Sequence, residues 1–237
     1  MRSSRSGPES PHSAPLGVGP NGFAHRGRHS NGVPENSRAA FHAAIELGAG
    51  IECDVRLSRD DVPMVFHDDD LKRMCGEGGS VETLSAASLA GKRLLGTRET
   101  MPRLADLLMI AGGRVPLLIE LKTAGNAARL AAAVCRTLGA RPGPVGVMSF
   151  DPRVAMWLAR NRSDVRRGLV IAGDESAIER WGKAMLARPH FLALDQALLG
   201  RVSTRLPVYS WTIRTPAERA SAAPFADALI WEADGGP

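Results

Sequence analysis

"GIECDVRLSRDDVPMVFHDDD", residues 50–70, is the stretch on which the fold turns. Its first part, "GIECDV" (50–55), is an apolar run broken only by Glu52 and Asp54. A strand sends residues i and i+2 to the same face, so these two carboxylates share one side. Only Ser58 to Asp61 separate this run from a second one, "VPMVFH" (62–67), which is too short a link for a parallel crossover. The two runs therefore read as an antiparallel hairpin that extends one strand beyond the rim of a sheet. Counting back from the turn brings His67 roughly opposite Glu52.

Working outward, seven further strand candidates flank this one: "GFAH" (22–25), "VPLLIE" (115–120), "VGVMSF" (145–150), "GLVIA" (168–172), "FLALD" (191–195), "VYSWTI" (208–213) and "ALIWE" (228–232). Between them lie Ala-rich segments of helical period, from "NSRAAFHAAIELG", with Asn36 as the expected N-cap, to "PAERASAA". The segment "QALLGRVS", after the sixth strand, carries the weakest helical pattern. Near-continuous apolar strands alternating with helices imply a parallel sheet, and eight such units imply a closed (β/α)₈ TIM barrel. Residues 68–100 interrupt the alternation and read as a loop-rich insertion over the same rim, of the kind that serves as a lid.

The composition fits one barrel domain over residues 21–237, preceded by a flexible tail over residues 1–20 that is rich in Ser, Pro, Gly and Arg. No run of about 18 apolar residues exists, and the first residues carry no secretory apolar core, so membrane insertion is not expected and a cytoplasmic location is. Three cysteines without metal-like spacing, Cys53, Cys75 and Cys135, read as reduced thiols. The charge of +5 comes from 26 Arg and 4 Lys spread without a dense block. Such a surface can attract an anionic small molecule, while nucleic-acid binding would call for a clustered stripe.

Strand ends at the C-terminal rim are where barrels build their sites. Glu52 and Asp54 end the second strand, and Glu120 ends the third, with Lys122 two residues on. Three carboxylates held together need a cation, and an all-oxygen set suits Ca²⁺ or Mg²⁺. His25 ends the first strand and His67 returns over the second, so two imidazoles flank that cation as general acid and base. Arg26 suits a phosphate oxygen. For Arg26 and Lys122 a surface ion pair is the competing reading. Trp211, at the end of the seventh strand, places a ring at the mouth that suits packing on a small polyol substrate, with core packing as the competing reading. Glu35, in "PENS", either supports the site from behind or stabilises the start of the first helix through its dipole. Ser149 has no local base and is not a candidate nucleophile, and His12, His29 and His42 lack a catalytic context.

"AHRG" with "PENS", "IECDV" with "VPMVFHDDDL", "LLIELK", "MSFDP" and "YSWTI", in this order, resemble the glycerophosphodiester phosphodiesterase family from about residue 22 to the C-terminus. The resemblance implies a TIM barrel of the phospholipase C-like phosphodiesterase type. It also implies a divalent metal at Glu52, Asp54 and Glu120, acid–base roles for His25 and His67, and phosphate contacts from Arg26 and Lys122. The implied reaction is hydrolysis of a glycerophosphodiester to glycerol 3-phosphate and an alcohol. A lysophospholipase D acting on larger substrates and a noncatalytic phosphate-binding barrel are the alternatives. The chain departs from the family pattern at its end, where "ALIWEADGGP" puts Trp231 and Glu232 in place of a small polar pair. Headgroup and oligomeric state are not encoded in these motifs.

Overall fold

Burial along the second strand alternates in what it meets, and that alternation lays out the molecule. In the computed structural model, which describes residues 14–140 and 143–237, β2 (Gly50–Leu57) turns Ile51, Cys53 and Val55 toward the helices. Glu52 and Asp54 face the other way, into the barrel. The strands β1 (Phe23–Ala24), β2, β4 (Leu117–Leu121), β5 (Val145–Ser149), β6 (Arg166–Ile171), β7 (Phe191–Asp195), β8 (Val208–Ile213) and β9 (Ala228–Trp231) are all parallel to their neighbours. β1 pairs with both β2 and β9, which closes the ring.

Outside the strands lie α1 (Arg38–Glu46), α4 (Leu104–Ala111), α5 (Ala127–Leu138), α6 (Pro152–Asn161), α7 (Ala177–Ala187) and α8 (Pro216–Ala222). After β7 the weak helical pattern yields only a 3₁₀ turn, Gln196–Leu198, so the barrel lacks a full helix there. The N-cap of α1 is Ser37, whose hydroxyl accepts from the Ala40 N–H, rather than the expected Asn36. Asn36 adopts φ +54° and turns its side chain to Asp54 instead.

The hairpin arm is β3 (Pro63–Val65), antiparallel to β2 with Val55 opposite Val65. Its register corrects the expected pairing of His67 with Glu52. The Phe66 N–H donates to the Asp54 carbonyl, so His67 follows one residue beyond that rung. The insertion after it is better organised than a loop: α2 (Lys72–Cys75), a 3₁₀ turn at Val81–Thr83 and α3 (Ala86–Ala90) enclose their own small core. Met64, Phe66, Leu71, Met74, Val81, Leu89, Leu94 and Met101 are all buried in it.

Inside the barrel, Phe23, Leu118, Met148, Val170, Phe191 and Tyr209 fill the lower layers. Gly168 is there because Phe191 is: a Cβ at that position would lie 2.2 Å from the ring. Residues 1–13 of the expected tail lie outside the described residues, but the segment after them is part of the fold. Leu16 and Val18 are buried in the inner cluster, and the Leu16 N–H donates to the Tyr209 hydroxyl at 2.7 Å. The domain therefore starts before residue 21.

Candidate active site

With its lower layers packed by apolar side chains, the barrel opens only at the C-terminal ends of its strands. A cavity of about 220 Å³ sits there, lined among others by His25, Arg26, Glu52, His67, Glu120, Lys122, Phe150 and Trp211. Asp54 and Glu120 are direct cross-strand partners, and Glu52 lies one inward-facing position below Asp54. Glu52, Asp54 and Glu120 are nearly inaccessible, at 1%, 1% and 7% exposure. Oxygens of all three lie within 4.8 Å of one another.

Three buried carboxylates in so small a volume repel, and their protonation equilibria record it. Burial pushes Glu52 well above the usual carboxylate range, and Asp54 and Glu120 push it further. Burial also raises Glu120, against the opposing pull of Lys122. Asp54 goes the other way: burial opposes ionisation, but Lys122 and Arg26 outweigh it and hold the carboxyl well below its ordinary value. Glu52 Oε1, Asp54 Oδ1 and Glu120 Oε1 are buried without a hydrogen-bond partner. Lys122 Nζ approaches the last two as an ion pair, at 3.2 and 2.5 Å. Three converging oxygens, one of them buried with no partner and two met only by Lys122, are the donor set a hard divalent cation takes, so the residues present fit Ca²⁺ or Mg²⁺.

Arg26 is presented by an unusual backbone. It sits at φ +56°, followed by Gly27 at φ +77°, where a Cβ would fall 2.9 Å from the Ala40 backbone. The "HRG" glycine is thus required by both conformation and close approach. This turn lets the Arg26 N–H donate to Glu52 Oε2 at 3.0 Å while its guanidinium reaches Glu35 at 2.8 Å and Asp54 at 3.2 Å. Glu35 lies outside the first turn of α1, and its carboxylate holds Arg26. Lys122 is likewise in the site and not on the surface, and its ammonium lies 5.7 Å over the Phe150 ring. Trp211 is half-buried at the mouth, edge-on to Phe150.

Each imidazole is tethered through Nδ1 to a carboxylate. His25 Nδ1 meets Glu232 Oε2 at 2.6 Å, and His67 Nδ1 meets Asp68 Oδ1 at 2.8 Å. A carboxylate only accepts, so Nδ1 carries the proton and Nε2 of each neutral ring is left as an acceptor. Burial lowers the pKa of His25 and of His67. The hydrogen bond from His25 holds Glu232 ionised, and Arg73 and His67 bring Asp68 down to about 2.

Reading the sequence singled out the two histidines but missed what holds them. Arg73, on α2 of the insertion, donates to both Asp68 and Glu35. Arg56 Nε donates to the His67 carbonyl at 2.8 Å. Arg214 Nε donates to Glu232 Oε1 at 2.7 Å. Asn36 Nδ2 donates to Asp54 at 3.0 Å. The run of aspartates after His67 was the one available signal for Asp68, and the atypical Glu232 was noticed only as a departure from the family pattern.

Fold and site together define a (β/α)₈ barrel whose mouth carries a buried carboxylate cluster between two carboxylate-tethered imidazoles. More particularly, the chain belongs to the glycerophosphoryl diester phosphodiesterase family, whose model matches residues 25–230. Among curated relatives, a glycerophosphodiester phosphodiesterase of Caldanaerobacter subterraneus is 39% identical over 111 residues, 43% of this chain and 44% of that protein. A probable glycerophosphodiester phosphodiesterase 2 of Mycobacterium tuberculosis is 41% identical over 87 residues, 36% of this chain and 33% of that protein. The chain thus matches less than half the length of these relatives. Among solved structures, an Oleispira antarctica phosphodiesterase in complex with the product sn-glycerol-3-phosphate superposes with a TM-score of 0.80 at 24% identity, covering 90% of this chain and 92% of that one. A Thermotoga maritima glycerophosphodiester phosphodiesterase gives 0.71 at 25% identity, covering 88% and 92%. Among the described residues no helix is long and apolar enough to cross a membrane.

Proposed function

We propose that the protein hydrolyses glycerophosphodiesters to glycerol 3-phosphate and an alcohol. The observation that carries this reading is the meeting of three converging buried carboxylates with two tethered imidazoles in one small cavity. Glu52, Asp54 and Glu120 would hold Ca²⁺ or Mg²⁺, which when bound supplies charge stabilisation for a phosphate and for the oxygen attacking it.

The chain's own groups then divide the work. Arg26 and Lys122 supply positive charge toward nonbridging phosphate oxygens. The bare Nε2 of His25, whose burial keeps the ring neutral, takes the proton from the attacking hydroxyl or water. His67, more open to solvent, serves as the acid in its imidazolium form: Nε2 takes a proton from solvent, Asp68 balances the charge at Nδ1, and Nε2 then delivers that proton to the departing alkoxide. The 2-hydroxyl of the glycerol is the expected first nucleophile, giving a cyclic phosphate that water opens; direct attack by water is the other route.

A cavity of about 220 Å³ is small beside the roughly 300–1,000 Å³ of sites for drug-sized ligands, which favours a glycerophosphoryl group over a long acyl chain. The product bound in the Oleispira antarctica neighbour supports the same ligand class. The three cysteines are free, which supports a reducing, cytoplasmic setting. The test is release of glycerol 3-phosphate from glycerophosphocholine and glycerophosphoethanolamine, after chelation and with Mg²⁺ or Ca²⁺ restored. Turnover of neither substrate under either metal would overturn the reading.

A further inference from the structure

Beside the carboxylate cluster lies a second, chemically different one. His29 is on the loop between β1 and α1, and its Nε2 is buried without a hydrogen-bond partner. That nitrogen lies 3.6 Å from Glu232 Oε2, the oxygen that also meets His25 Nδ1 at 2.6 Å. All three donor atoms fall within 4.8 Å of one another. Arg214 fixes the other oxygen, Oε1, and so aims Oε2 at the two rings.

Two imidazole nitrogens and one carboxylate oxygen form a borderline-soft set, unlike the all-oxygen cluster across His25. Three protein ligands with the fourth position open to a half-exposed mouth is a pattern Zn²⁺ accepts. Tetrahedral bonds of about 2.0–2.1 Å would separate the donors by roughly 3.3 Å, so the 2.6 Å contact must open by less than 1 Å. The 3.6 Å separation is already near that value.

We propose that His25, His29 and Glu232 form an inhibitory zinc site, distinct from the Glu52–Asp54–Glu120 cluster. Zinc bound there takes the place of the proton on His25 Nδ1, which is released to solvent, and breaks the hydrogen bond to Glu232. No redox step or co-reactant is involved. The ring that serves as base is then locked by its wrong nitrogen, and turnover stops. The inhibition rests on the proposed hydrolase reading, whereas the binding does not.

The experiment uses the full chain, stripped by chelator and kept in millimolar Mg²⁺ to occupy the hard site. Zn²⁺ is titrated against a chromophoric chelator, and Co²⁺ serves as a spectroscopic substitute. Wild type should bind one Zn²⁺ tightly. His29→Ala and His29→Gln, with unchanged circular dichroism, should each weaken it by about tenfold or more, since loss of even outer partners of a metal site costs 10–100-fold. Glu120→Gln should leave it intact. In the activity arm, His29→Ala should keep its Mg²⁺-supported rate and tolerate at least about tenfold more Zn²⁺. Unchanged zinc affinity in both His29 variants, or loss of the site in Glu120→Gln, would overturn the proposal. If no glycerophosphodiester is turned over at all, the hydrolase reading fails while the binding arm still decides the site.

Discussion

The Glu232 carboxylate, read from the sequence only as an oddity of the last strand, provides the sharpest test of how His25 works. In Glu232→Gln the side chain keeps its shape and loses its charge. Arg214 Nε donates to Oε1 at 2.7 Å, so the amide oxygen must stay on that side. The amide nitrogen then occupies the position of Oε2, 2.6 Å from His25 Nδ1, and presents a donor where there was an acceptor. His25 responds by moving its proton to Nε2, which abolishes the base. In a buried catalytic triad the equivalent change lowers kcat by about 10⁴; here the carboxylate is 18% exposed and solvent softens the penalty, so about 10²–10³ is expected. That corresponds to roughly 3–4 kcal/mol of barrier, with KM little changed. Glu232→Ala removes the acceptor without imposing a donor, so it should be less damaged than the glutamine variant. Arg214→Ala in the Glu232→Gln background frees the amide to flip and should recover part of the loss. Steady-state kinetics on glycerophosphocholine, with ¹⁵N shifts of the His25 ring reporting the tautomer, measure each step. A glutamine variant as active as the alanine one, or no recovery in the double variant, would refute this account.

Three other outcomes follow from the same structure. Glu52 has its pKa raised in the folded chain, so without metal its contribution to stability is present below the unfolded carboxylate pKa and is lost as pH rises toward the folded one. In chelator, Glu52→Gln should therefore melt a few °C higher than wild type near neutral pH, and should lose the stabilisation that Mg²⁺ or Ca²⁺ gives wild type; thermal melts with and without metal check both. Gly27→Ala should destabilise by about 1–3 kcal/mol in urea denaturation, because it adds a Cβ to a positive-φ position pressed against Ala40. Leu16→Ala should cost about 2 kcal/mol or more by the same assay if the segment before β1 plugs the barrel, and would cost nothing if that segment were a free tail.

The barrel was legible because its signal is repeated: eight apolar runs at helix-length spacing leave few architectures open. The carboxylate cluster was legible for a related reason. A two-residue spacing, as in Glu52 and Asp54, fixes the face a strand shows, and a strand's end fixes its height in the barrel. What escaped was whatever depends on register or on contacts distant in sequence. The hairpin turn is short, yet a slip of one residue was enough to misplace His67 against Glu52, because the antiparallel ladder is set by the positive-φ turn at Asp61 and not by the count alone. Asn36 looked like a helix cap because Asn is a good one, but Ser37 is as good and stands one residue nearer the helix. Leu16 and Val18 sit among Pro and Gly, where two apolar residues carry no periodicity, so only the space below Tyr209 reveals their use.

The insertion between β3 and α4 gains a sharper role from these contacts. Arg73 stands on its first helix and bonds to Asp68 and Glu35 at once. Asp68 holds His67, Glu35 holds Arg26, and Arg26 pairs with Asp54. One unbroken line of charges thus runs from the ring of His67 through the insertion to the carboxylate cluster. The links at Arg73 are partly exposed and so add little to stability by themselves. Their effect is geometric: the orientation of His67 and the position of Arg26 are set by the same guanidinium. An insertion that merely covered the mouth would need apolar packing on the barrel, whereas this one keeps a separate core and reaches the site through Asp68 and Arg73. Displacing α2 would therefore disturb the His67 imidazole and the Arg26 guanidinium together, leaving the barrel and the carboxylate cluster in place.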